Sequence, residues 1–308
     1  METARLVGLV TMTLLIVVHP PATAQSPTSA REDVFVSLET GLVQWRTSAG
    51  ALRAVLVGVV SGPASGMRFD AAGNLYVAHR CADGACTAGN TVEKFTPRGV
   101  SQGAVGGPYH CDPHSIAFDA AGGAFVAQAH CTTHVLKFTS GQPPTSYPVQ
   151  SETRGALWID LAGDGCTLFY TSRGPDVKRF DVCANRQLRS FNLAPMPGGE
   201  TRGIRILPDG GALVSSGAVV ARLDADGALV RSYGVASGEP QDWAGLDLGA
   251  NGTFWAINSA TSSVYQFDLA TGEVRGSVYT GTAANTAVDV AVRRVKTPPA
   301  PVGGLILR

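Results

Sequence analysis

Five of the six histidines crowd into one stretch of the chain: His79, His110, His114, His130 and His134. Two short segments carry four of them, His110-Cys111-Asp112-Pro113-His114 and His130-Cys131-Thr132-Thr133-His134. Imidazole nitrogens in such numbers suit zinc or copper, which need three or four donors. The cofactor this implies is a divalent metal, with calcium kept beside zinc as an identity. A His–Cys pair could also make a nucleophile, but that needs a free thiolate. The plainer chemistry is a Cys111–Cys131 disulfide pinning two loops, with the histidines as polar loop residues.

The start of the chain favours the disulfide. Arg5, the apolar run Leu6 to Val18 and the small-x-small site Ala22-Thr23-Ala24 read as a signal peptide over residues 1–24. The run is too short to span a bilayer as a stable helix. The expected location is secreted or periplasmic, where cysteines oxidise. The six cysteines then make three disulfides. Cys81–Cys86 closes within one short loop. Cys166 and Cys183 flank the turn Arg173-Gly174-Pro175-Asp176, and folding that hairpin about its centre sets them directly opposite one another. Cys111 and Cys131 are the remaining pair. Lys plus Arg and Asp plus Glu are both 24, and no basic cluster occurs, so nucleic acid and anionic membranes are not expected partners.

Such loops need elements to hold them, and the sequence repeats. The pattern apolar, any, Lys/Arg/Gln, apolar appears at Leu42–Trp45, Val92–Phe95, Val135–Phe138, Val177–Phe180, Val220–Leu223 and Val264–Phe267. The intervals are 50, 43, 42, 43 and 44 residues. Most copies are preceded by a strand, an Asp-x-x-Gly turn and a second strand, as in Met67 to Val77 and Ile116 to Val126. Asp caps such a turn and Gly supplies its positive φ. Asp70, Asp119 and Asp160 are therefore expected to be turn residues, not a catalytic carboxylate set. A period of 40–45 residues with four strands is a propeller blade. The chain is predicted to be an all-β, six-bladed β-propeller over residues 33–296. Its first unit, Asp33 to Val60, lacks an inner strand, and Thr286 to Val292 supplies one, closing the ring. Residues 25–32 and the Pro-rich tail 297–308 are expected to be disordered.

Asp70-Ala-Ala-Gly-Asn-Leu-Tyr-Val77 followed by Val92-Glu-Lys-Phe95 resembles an NHL repeat. The wider likeness, over roughly 33–293, is to NHL and gluconolactonase-like six-bladed propellers. That resemblance implies the fold and leaves the activity open, because such folds host lactonases, lyases and binding modules. Of the inner-strand histidines that the related peptidyl-hydroxyglycine lyases use for zinc, only His114 has a counterpart. The His/Glu set of streptogramin lyases is missing, since no histidine follows His134.

In a propeller, loops before inner strands and loops between second and third strands share one face. All five histidines are expected there, with Arg154, Arg173, Glu200, Arg202, Ser215, Asp242, Trp243 and Asn258. The candidate ligand contacts are His110, His114, His130, Arg154, Arg202 and Trp243. The two arginines suit a carboxylate by bidentate pairing, and Trp243 suits stacking on a sugar or aromatic ring. Two functions follow. One is a monomeric, non-catalytic binding module for a small molecule, glycan or protein. The other is a metal-dependent, lactonase-like hydrolase or lyase using His114 with His79, His110 or His130.

Overall fold

The computed structural model describes residues 32–294, apart from 84, 85, 111, 131, 132 and 237. The expected signal segment, the tail and the Cys111–Cys131 pair lie outside the described residues. Of the segment 25–32 expected to be disordered, residues 25–31 also lie outside the described residues, and Glu32 is ordered. It opens the strand Glu32–Leu38, its carboxylate taking the indole N–H of Trp255 at 3.0 Å.

Six four-stranded antiparallel sheets form the six blades of a propeller. The innermost strands are Ala287–Arg294 in blade one, Ala64–Phe69 in blade two and Pro113–Phe118 in blade three. Those of blades four to six are Ile159–Leu161, Thr201–Ile206 and Trp243–Leu248. Blade one joins the two ends of the chain, as the sequence predicts. Its inner strand pairs with Glu32–Leu38 in antiparallel register from Glu32 opposite Arg294 to Leu38 opposite Ala287. This closure covers the edge of Glu32–Leu38 that would otherwise be unpaired. Arg293 fastens it: the guanidinium lies over the rings of Trp45 at 4.6 Å and Phe35 at 5.0 Å and pairs with Asp33 at 2.9 Å. Among the described residues no helix is long and apolar enough to cross a membrane.

The core sits between neighbouring blades, where alternate apolar residues of facing sheets interlock. Leu213, Val220 and Tyr233 of blade five pack on Trp243, Phe254 and Phe267 of blade six. Burial of each such side chain contributes roughly 1.5–3 kcal/mol. Trp243, expected to face a ligand, belongs to this layer. It is fully buried, donates its indole N–H to Ala218 O at 3.1 Å and meets Phe267 edge-on. A large ring at the start of an inner strand fills the wedge between blades better than it serves the solvent face.

Asp70 and Asp119 hold their turns, accepting the N–H of Asn74 at 2.8 Å and of Gly123 at 2.7 Å. Asp160 does not. Its carboxylate takes the N–H of Ile206 at 2.9 Å and pairs with Arg68 at 3.2 Å. Asp164 caps the blade-four turn, through Thr167 N at 2.8 Å. Both expected disulfides outside the histidine segments are present, with Cα separations of 4.7 Å for Cys81–Cys86 and 5.3 Å for Cys166–Cys183. The second pair is not directly opposed. Thr167 faces Asp181, and Val182 N bonds Cys166 O at 2.9 Å. The hairpin is centred on Gly174, half a residue earlier than its composition suggests, with Arg173 at φ 58°, so the bridge runs diagonally.

Candidate functional site

Inner strands of five blades are bulged where they begin. The register slips between Ala64 and Met67, Pro113 and Ile116, Thr201 and Ile204, Trp243 and Leu246, and Ala287 and Asp289. A bulge re-aims the side chains it contains. His114 and Arg202 sit in two of these bulges, and both turn into the mouth of the central channel. Glycine fills the following position where strands approach most closely. A Cβ on Gly203 would meet Ala244 O at 2.5 Å, and one on Gly245 would meet Asp289 Oδ1 at 1.8 Å.

The mouth encloses about 270 Å³ and is dominated by four arginines, Arg80, Arg154, Arg173 and Arg202. Arg80 and Arg173 follow the second strands of blades two and four. Arg154 and Arg202 lie on or before the inner strands of blades four and five. Arg80 pairs with Glu39 at 2.6 Å, Arg202 with Asp242 at 2.8 Å, and Arg173 with Glu200. Among the described residues Arg154 forms no ion pair, although Asp112 and Glu200 act on it from a distance. It donates instead to Nε2 of His130, whose Nδ1 donates to Asp112 Oδ2. Burial, then the neighbouring Arg173, depresses the Arg154 guanidinium from its ordinary value.

The donors outnumber the acceptors. Arg80 Nε, Trp158 Nε1 and Arg202 Nε are buried N–H groups with no hydrogen-bond partner among the described residues. All three belong to side chains lining this one cavity. Leaving a buried donor unmatched costs about 1–3 kcal/mol, but these three atoms are shut off from solvent; what Arg80 and Arg202 present to the cavity is the part of each side chain that stays exposed. His114 adds a neutral imidazole. Burial holds it well below the ordinary imidazole range, helped by Arg80, His130, Arg154 and Arg173. Its Nδ1 lies 3.1 Å from Ser65 Oγ, and its ring meets Trp158 edge-on at 4.4 Å.

The five histidines do not converge. His79 is buried between Gly62 O at 3.1 Å and Glu93 Oε2 at 3.3 Å. His114 keeps to Ser65 and Trp158, His130 bridges Asp112 and Arg154, and His110 lies edge-on to His134 with ring centres 6.2 Å apart. Among the described residues no group of three or more His, Cys, Asp or Glu side chains is disposed to hold a metal ion. Of the expected ligand contacts, His114, Arg154 and Arg202 line the mouth, and His130 supports it from behind. Arg80, Glu39 and Trp158 were not anticipated there. The signal for Arg80 was in the repeat: it follows His79 at the end of a second strand as Arg173 follows Ser172.

Beneath the mouth the channel is plugged by charge. Arg205, fully buried, donates to Asp247 at 2.9 Å. Arg68 bridges Asp247 at 3.4 Å and Asp160 at 3.2 Å. Asp289 accepts Met67 N at 2.8 Å, and burial lifts its carboxyl to about 7, against the pull of Arg205. These side chains tie the inner strands of five blades together, and Arg68, Asp160, Arg205 and Asp247 line a cavity separate from the mouth.

Comparison with solved structures supports the six-bladed propeller. A chain of a nidogen–laminin complex superposes with a TM-score of 0.70 at 11% identity, covering 85% of this chain and 98% of that one. A protein of unknown function from Bacteroides caccae superposes with a TM-score of 0.66 at 14% identity, covering 85% and 99%. A streptogramin B lyase gives 0.61 at 12% identity, covering 86% and 92%. No family model matches the sequence, and no curated protein does. At these identities the likeness is one of fold.

Proposed function

We propose that the protein is an exported binding propeller whose ligand is a small anion seated at the arginine-lined channel mouth. The ligand class is a molecule bearing a carboxylate, phosphate or sulfate group. One observation carries the reading: Arg154 lines a cavity shared with three more arginines and, among the described residues, bonds His130 and forms no ion pair of its own. Like charges gathered in a partly desolvated cavity are costly until an anion joins them, and charge-assisted bonds to guanidinium are strong and directional. Export is supported by the leader-like start and by the two disulfides.

The fold does not choose between binding and catalysis, since the similar structures include both a laminin complex and a lyase. The residues favour binding. Titration calorimetry with citrate, phosphate and sulfate tests it. At least one should bind, more weakly as sodium chloride rises. Arg154→Ala should lose 10–100-fold in affinity, the equivalent of about 1.5–3 kcal/mol for a charged hydrogen bond, without a change in melting temperature. No binding by any of the three, or an Arg154→Ala variant as tight as the parent, would overturn the reading.

A further inference from the structure

A second cavity, independent of the first, opens on the side of the ring between blades two and three. It encloses about 400 Å³ and no lining residue carries a charge. Two edge-on ring pairs flank it, Tyr76 with Phe118 at 4.9 Å and Tyr109 with Phe138 at 5.3 Å. Tyr76, Phe118 and Phe138 are only half-buried, so ring faces remain to be covered. Thr139, Ser140 and Gln142 supply hydroxyls and an amide at one end.

The cause of the cavity lies in one residue. The second strand of each blade places a side chain opposite the last inner-strand residue. Blades two, four and six put Leu75, Leu168 and Phe254 there, opposite Phe69, Leu161 and Leu248. Blade three puts Ala124 there, opposite Phe118. The missing side chain is the volume between the rings. Protein interiors fill such space, and blade five, which also has Ala212 at this point, closes over it: Ala212 is fully buried in a continuous core. Blade three stays open.

We propose that this cleft binds a neutral, flat aromatic molecule with one hydrogen-bonding edge, inserted between the ring pairs. The size matches a small-molecule site, and apolar walls with a few polar groups at one end are the usual construction of one. Rings presented edge and face accommodate a further ring at favourable angles. The uncharged lining selects against the anions that suit the channel mouth, so the two sites take different chemistry.

Fluorescence titration with N-phenyl-1-naphthylamine, a neutral aromatic that brightens in apolar surroundings, tests the proposal. The parent and the Arg154→Ala variant should bind it equally. Ala124→Leu, which copies blades two and four, should bind at least tenfold more weakly. Thr139→Trp, at an exposed rim position, should lay a ring over the opening and weaken binding likewise, serving as the check if Ala124→Leu does not fold. Sedimentation should show the parent as a monomer with and without probe. Failure of the parent to bind, equal binding by both variants, or a dimer that Ala124→Leu dissolves would each overturn the proposal.

Discussion

Replacing Asp289 by Asn should flatten the pH dependence of stability. Asp289 lies in the channel plug, with Met67 N on Oδ2 and no partner among the described residues for Oδ1. Burial raises its carboxyl to about 7, against the ordinary ~3.9 of an unfolded chain. A group whose folded value is raised binds protons more tightly in the native state. Its contribution is therefore complete below the unfolded value and is lost as pH climbs through the folded one. At about 1.4 kcal/mol for each pH unit spanned, the parent should lose roughly 2–3 kcal/mol between pH 5 and pH 8 through this one residue. Asparagine keeps the acceptor for Met67 and carries no charge, so the variant should lack that loss. Urea denaturation at pH 5, 6, 7 and 8 measures it, as the difference in slope between the two proteins. Parallel curves would show that Asp289 is ionised throughout and that the charge balance assigned to the plug is wrong.

Two other substitutions test the packing. Arg293→Ala should cost about 2–3 kcal/mol, because it removes a guanidinium from the faces of Trp45, Phe35 and Phe69 and weakens the pairing of buried Asp33; a loss under about 0.5 kcal/mol by denaturant titration would remove its role in ring closure. Trp243→Phe should cost about 1–2 kcal/mol through the indole bond to Ala218 and lost volume, with anion affinity unchanged; weakened anion binding would return Trp243 to the site.

The ring was legible because one strand signature recurs at blade spacing and its missing piece turns up at the other end of the chain. The site was legible in part. Arg154 and Arg202 could be placed because they border inner strands, whose starts define the mouth. The histidines share a face without converging, for a physical reason. Neighbours in sequence occupy loops of the same face, but adjacent loop residues point in different directions, and burial with Glu93 claims His79 while Trp158 claims His114. The plug was invisible. Ile204-Arg205-Ile206, Leu246-Asp247-Leu248 and Val288-Asp289-Val290 each read as a charged residue alternating with apolar ones, the pattern of a strand with one wet face. On an inner strand that polar face looks into the channel, and the partners come from other blades. Asp160 was misread likewise: it lies near a turn in sequence and across the channel from Arg68 in space.

The most direct test of the central claim is a crystal structure of the protein soaked in selenate, an oxyanion with a usable anomalous signal. A strong anomalous peak is expected at the channel mouth, with selenate oxygens within hydrogen-bonding distance of Arg154 and at least one of Arg80, Arg173 and Arg202. A mouth without a peak, beside selenate bound elsewhere on the surface, would contradict it.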